Sequence, residues 1–163
     1  MYTFRDAAQR LAAREEMSYF LARYEWSWYC HLTFATPAPA RVAERKFHDW
    51  IHTINRRNFG RSYYKRRVSA YWVRAMEYQI NTVAHFHALV GGVSIDPTRG
   101  TQAWAKNGLA DVKYFDAVKN GIDYMLKKCG AEDVVFSQNL GDCSSPGLPA
   151  SVALVHTDSG RQG

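Results

Sequence analysis

Cysteine is scarce in this chain, with three among 163 residues. Cys30, Cys129 and Cys143 stand far apart and none belongs to a CxxC pair. That spacing excludes a disulfide scaffold and a cysteine zinc site, and it fits a reducing, cytoplasmic setting. Long apolar runs are missing too, so no membrane-spanning helix is expected and no membrane partner follows. No basic-then-apolar leader opens the sequence, and nothing is expected to direct secretion. There are no internal repeats to suggest a solenoid. Against these absences stand 47% hydrophobic and 14% aromatic residues. A core can be buried, a wholly disordered chain is excluded, and the length suits one domain.

Acidic residues are the minority charge, 15 against 21 Lys and Arg, for a net +6. The excess is concentrated. Between Arg41 and Arg74 ten basic residues face only Glu44 and Asp49, a local charge of +8. The rest of the chain is therefore slightly acidic. Such a field suits a phosphate backbone, and Arg41, Arg45, Arg56, Arg57, Arg61, Lys65, Arg66 and Arg67 are its candidate contacts.

Periodicity orders the chain. Residues 3–24 are Ala-rich, free of Gly and Pro, and predict a helix. WSWYCHLTF, residues 26–34, alternates as a strand with Trp26, Trp28, Cys30, Leu32 and Phe34 on the buried face. A helix is expected over 39–58, with Ala43, Phe47, Trp50, Ile51 and Ile54 inward. Arg41, Arg45, His48, His52 and Arg56 form its opposite stripe, which reads either as a solvated face or as a ridge that tracks phosphates. Residues 58–65 read as a loop carrying Tyr63 and Tyr64. Strands at 69–79 and 83–90 make a hairpin with its turn near Asn81 or Thr82. Residues 96–100 read as a loop and 102–106 as a short helix. A strand follows at 110–115, then a helix from an Asp116 N-cap to Lys128, then a short strand at 133–136. From 139 onward Ser, Gly, Pro and Asp dominate, and the tail is expected to be mobile. The fold class that results is α+β, a central antiparallel sheet flanked by helices.

Chemistry concentrates in the hairpin. His85 and His87 are two apart on a strand and project together. A turn near residue 81 or 82 sets Glu77 across from one of them, within the roughly 5 Å that separates cross-strand Cβ atoms. Two imidazoles and a carboxylate make a divalent-cation site able to hold a phosphate oxygen. Downstream, Tyr124 is expected on a helix beside Ala117, Gly121 and Lys128, with Lys127 three residues further. It reads either as an amphipathic packer or as a nucleophile. His31, isolated on the Thr33 face of its strand, is read as solvent-facing.

His85-Phe-His87 resembles the HUH motif of single-strand endonucleases. Tyr124-Met-Leu-Lys127 resembles the YxxK motif of their replication-initiator branch, and His31-Leu-Thr-Phe34 is similar to the family's first motif, although His31 replaces the usual apolar residue. The three occur in family order between residues 26 and 128. The resemblance implies a ferredoxin-like HUH endonuclease domain over 26–138, preceded by a helical extension at 1–25 and followed by a flexible tail at 139–163. It implies Mg²⁺ or Mn²⁺ on His85, His87 and Glu77, Tyr124 as nucleophile, and Lys127 positioning the metal or phosphate. The activity implied is nicking of a single-stranded or hairpin origin through a 5′-phosphotyrosine, which initiates rolling-circle replication of a plasmid or phage-like element. No Walker A sequence is present, so a separate helicase and the host replication machinery are expected partners. A single-tyrosine transposase shares this chemistry but more often carries YxxQ. A binding-only module would use the cations with Tyr63, Tyr64 and Trp72 on single strands.

Overall fold

Along Trp26–Phe34 (β1) buried and half-buried side chains alternate, the two-residue period of a strand with one face in a core. The computed structural model describes residues 4–78, 83–119, 121–128 and 134–142; the side chains of 4–6, 127, 128 and 142 are outside that set. The turn expected at Asn81 or Thr82, and Cys129 and Cys143, lie outside the described residues. Phe4–Leu21 (α1) precedes β1, and Ala40–Phe59 (α2), Tyr71–Tyr78 (β2), Ala84–Gly91 (β3), Pro97–Trp104 (α3) and Gly108–Tyr114 (β4) follow it. Gly121–Lys128 (α4) and Val134–Phe136 (β5) complete the regular elements. The sheet runs β4-β1-β3-β2-β5, and every neighbouring pair is antiparallel. From β1 to β4 the order is β-α-β-β-α-β, the ferredoxin-like arrangement, with β5 added beyond β2.

Each face of the sheet has its own core. Trp28, Leu32, Phe86 and other inward residues meet Phe47, Trp50 and Trp104 from α2 and α3. Indole Nε1 of Trp50 donates to the Gly100 carbonyl at 2.9 Å, tying the two helices together. On the other face Val73, Ala75 and Leu89 pack against Leu21, Tyr24, Ile122, Met125 and Leu126 from α1 and α4 and the residues beside them. Ser18 Oγ donates to Asp123 Oδ1 at 2.7 Å, fixing α4 to α1.

Several expectations are corrected. Between Trp26 and Trp28 the register on β3 slips from Gly91 to Val90, and this bulge turns Trp26 into the second core instead of the first. The segment read as a loop at 96–100 is the start of α3: Asp96 caps it by accepting the Thr98 N–H at 2.9 Å, and Pro97 opens it. The helix expected from Asp116 is divided. Asp116 caps a 3-10 turn, Ala117–Lys119, and Val118 there is 92% exposed. Arg74 is not part of an outward basic surface. It is buried over the rings of Phe47 and Phe86, with Glu44 at 3.7 Å. Residues 139–142, read as the start of a mobile tail, pack on the domain: Leu140 is buried, and Asn139 donates to the Ser69 hydroxyl at 3.1 Å.

Gly108, where β4 begins, has φ +155°, and a Cβ there would lie 2.1 Å from the Thr33 carbonyl oxygen and 2.6 Å from the Ala35 nitrogen. Both obstacles are backbone and cannot swing aside. Gly108→Ala is therefore expected to destabilise the fold by about 3 kcal/mol. Urea unfolding checks this, as a lower midpoint at unchanged m value.

Candidate metal centre

The face of the sheet that carries α1 and α4 also holds polar residues of three strands, His85 and His87 buried and His31 and Glu77 half-buried. Register makes the arrangement. Glu77 pairs with His85 across β2 and β3, while His31 pairs with His87 across β1 and β3. Alternation then turns these four side chains to one side, while Phe86 and Ala88 enter the opposite core.

His85 Nε2 and His87 Nε2 are 3.0 Å apart, and Glu77 Oε2 lies 3.1 Å from the first and 3.3 Å from the second. For a cation held at about 2.1 Å, adjacent ligands of an octahedron are separated by about 3.0 Å. The three donor atoms therefore already have the spacing of one octahedral face. The donor chemistry agrees, since a two-histidine, one-carboxylate face is a known cation-binding set with positions left open. These three residues can hold a metal ion. Burial pushes the His87 imidazole down to about 4, with His31 and His85 adding to the effect, while its hydrogen bond to Glu77 opposes it. Near neutral pH the ring is therefore uncharged and does not repel a cation. Both Nδ1 atoms are buried without a protein partner, so each ring's polar edge that is matched is the one facing the triad. The histidines form the floor and the half-buried Glu77 the rim, which leaves access from one side.

Tyr124 stands above this floor. Its ring centroid is 5.8 Å from that of His87 and 6.0 Å from that of His31, and the residue is 46% exposed. Ile122, Met125 and Leu126 bury the other sides of α4, which turns Tyr124 toward the triad rather than into the core. Gly121 rests on the ring of Tyr29, where a Cβ would approach Cδ2 to 3.0 Å. Lys127 lies on α4 one turn beyond Tyr124, and its side chain is outside the described set.

His31 is not a solvent-facing bystander. Its ring meets that of His87 edge to face at 4.4 Å, and its Nε2 shares a 2.7 Å hydrogen bond with Tyr29 Oη. Burial lowers its basicity, while Asp111 on β4 opposes the shift. Tyr29 and His31 were legible only as alternate residues of a strand, because the signal that places them here is the pairing of β1 with β3. Cys30, one residue away, faces the other core, where burial raises its thiol out of reach of ionisation.

The cations are elsewhere. Arg41, Arg45, Arg56, Arg57, Arg61, Lys65, Arg66 and Arg67 are all exposed, but α2 packs on the sheet face opposite the triad. None of them joins the metal centre.

No family model matches the chain, and no curated protein matches it in sequence. Among solved structures, the chain is similar to the crystal structure of the hypothetical protein ORF119 from Sulfolobus islandicus rod-shaped virus 1. The identity is 18%, the match covers 70% of this chain and 91% of that chain, and the TM-score is 0.45.

Proposed function

We propose that this protein is a metal-dependent single-stranded DNA endonuclease and strand transferase of the HUH type. The observation that carries the reading is the convergence of Glu77, His85 and His87 within 3.3 Å beneath the ring of Tyr124. A module that only bound DNA would need neither the ligand spacing nor a half-exposed tyrosine above it.

The triad would hold Mg²⁺ or Mn²⁺, and its two nitrogen donors favour the softer Mn²⁺. The bound ion would polarise the scissile phosphate and offset its developing charge. Tyr124 Oη attacks the phosphorus as its proton passes to solvent. The bond from phosphorus to the 3′ oxygen breaks, and that oxygen takes up a proton from solvent and departs as a hydroxyl. The 5′ end stays on Tyr124 as a phosphodiester. Reversal, by attack of a 3′ hydroxyl on this ester, reseals a strand without an external energy source. Rigid support suits this role, because in-line attack depends on holding the nucleophile near the phosphorus. The YxxK spacing of Tyr124 and Lys127 supports an initiator of rolling-circle replication over a transposase, with the opening of duplex DNA left to a separate helicase.

The deciding experiment incubates the protein with labelled single-stranded origin DNA and Mn²⁺ and looks for a covalent adduct on a denaturing gel. No adduct with any single strand from the encoding element's origin would overturn the reading.

Gly121→Ala tests the seat of the nucleophile. The added methyl must push α4 from the Tyr29 ring by a few tenths of an ångström. Cleavage is expected to fall about tenfold while Mn²⁺ affinity is kept. Titration calorimetry and nicking rates on the same preparation separate the two effects.

A further inference from the structure

The basic surface presents a problem of its own, because it lies on the wrong face to grip a strand at Tyr124. α2 runs back from the end of β1 beneath the sheet. Its first turn lies near the triad end, where Tyr78 Oη donates to the Ala38 carbonyl at 3.5 Å. Its last turn lies at the far end, where Asn58 Oδ1 accepts the Ser94 and Ile95 N–H groups that follow β3. Arg56, Arg57 and Arg61 are thus remote from Glu77 both in face and in end.

These cations are also uncompensated. Glu44 is committed to the buried Arg74. Among the described residues, Arg41, Arg45, Arg56, Arg57 and Arg61 form no ion pair with a carboxylate, nor do the cations of the turn that follows. Some are nevertheless held in place. Arg57 donates to the Arg99 carbonyl at 2.7 Å, and Arg66 donates to the Phe59 carbonyl. His52 Nδ1 and Tyr63 Oη share a 2.7 Å hydrogen bond that holds the turn against α2. Thr53, Arg56, Arg57 and Arg61 line an open cleft of about 260 Å³. A helix C-terminus favours nearby cations by up to about 1 kcal/mol at an exposed site. That accounts for Arg56 and Arg57, but not for Arg41 and Arg45 at the other end.

From this geometry we infer a second nucleic-acid site, on the α2 face, that holds the phosphate backbone of double-stranded DNA. Between Arg41 and Arg56 the helix spans about 22 Å, a rigid row that can follow phosphates fixed on a duplex. The large aromatics of α2 are turned toward the core, Phe47 and Trp50 buried in it and Phe59 packed half-buried against it. Along the helix there is no platform for stacking unpaired bases, which single-strand binding requires. The two faces then divide the substrate: the duplex stem of a hairpin lies on α2, and its unpaired loop reaches round the sheet to Tyr124. The inference uses the proposed nicking reaction for its purpose, but its test does not depend on that reaction.

The test is fluorescence anisotropy with a blunt-ended labelled duplex that has no unpaired segment. The double variant R56E/R61E is expected to lose at least about tenfold in affinity, and its slope of log affinity against log salt to fall by about two. R56K/R61K should bind nearly as well as wild type, a rescue that a merely structural role for the guanidinium groups would not permit. EDTA should leave duplex affinity unchanged. Wild-type affinity and slope in R56E/R61E would overturn the inference. So would tighter binding of single-stranded DNA whose advantage is removed by Tyr64→Ala, since that outcome identifies a stacking site on the turn. Absence of a Tyr124 adduct, by contrast, would sink the nuclease reading and leave these measurements standing.

Discussion

Tyr124→Phe is expected to abolish the covalent protein–DNA adduct and to lower metal-dependent cleavage by about 10³-fold or more, an increase of about 4 kcal/mol in the barrier. The substitution removes one oxygen and leaves the ring, which sits 5.8 Å from His87 and 6.0 Å from His31. Packing is barely touched, because the residue is nearly half exposed and α4 is held by Ile122, Met125 and Leu126. A fall in activity therefore reports the lost nucleophile and not a lost fold. Thermal unfolding should match wild type, and affinity for single-stranded DNA should stay within about twofold. Retention of the adduct in Tyr124→Phe would assign the attack to another hydroxyl. Tyr29, bonded to His31 at 2.7 Å, would then be the next tyrosine to replace.

His87→Ala is expected to weaken Mn²⁺ binding at least about 100-fold and to remove cleavage with it. Glu77 Oε2 and the two Nε2 atoms stand 3.0 to 3.3 Å apart, so a shared cation completes all three at once, and loss of one leaves a weak two-point site. Stability reads the same event without any DNA. At an Mn²⁺ concentration of about 100 times Kd, a ligand that binds only the folded state adds about 2.7 kcal/mol. For a chain of this size that is a rise in Tm of about 5–10 °C. Wild type should show the rise, while His87→Ala and Glu77→Ala should show almost none. An equal rise in all three proteins would place the ion elsewhere. EDTA should reverse both the rise and the cleavage.

The cations and the His85–His87–Glu77 triad lie on opposite faces of the sheet. The eight candidate phosphate contacts from Arg41 to Arg67 are exposed, whereas Arg74 is buried. The sheet separates these eight from the triad. Any DNA that touches both must pass around an edge of the sheet or present two different segments. For the proposed nicking reaction, that requirement would favour a hairpin, with its stem and its unpaired loop, over a short linear strand.

Much of this protein was legible in local sequence, because local sequence sets periodicity and caps. The alternation of Trp28, Cys30, Leu32 and Phe34, the inward stripe from Ala43 to Ile54, and the projection of His85 and His87 to one side each follow from the repeat of a strand or helix. The α+β class and the pairing of Glu77 with His85 came within reach because consecutive antiparallel strands make residues apart in sequence near neighbours. Other features depended on contacts that no short window contains. One extra residue at the β1 bulge moved Trp26 to the other core. The non-local pairing of β1 with β3 brought His31 to His87, and the approach of Gly121 to Tyr29 seated α4. Arg74 looked like surface charge and became a buried cation between two rings. Periodicity determines which way a side chain points within its own element. Only the packing of elements on a sheet decides what it points at, and which face carries the cations and which the metal centre.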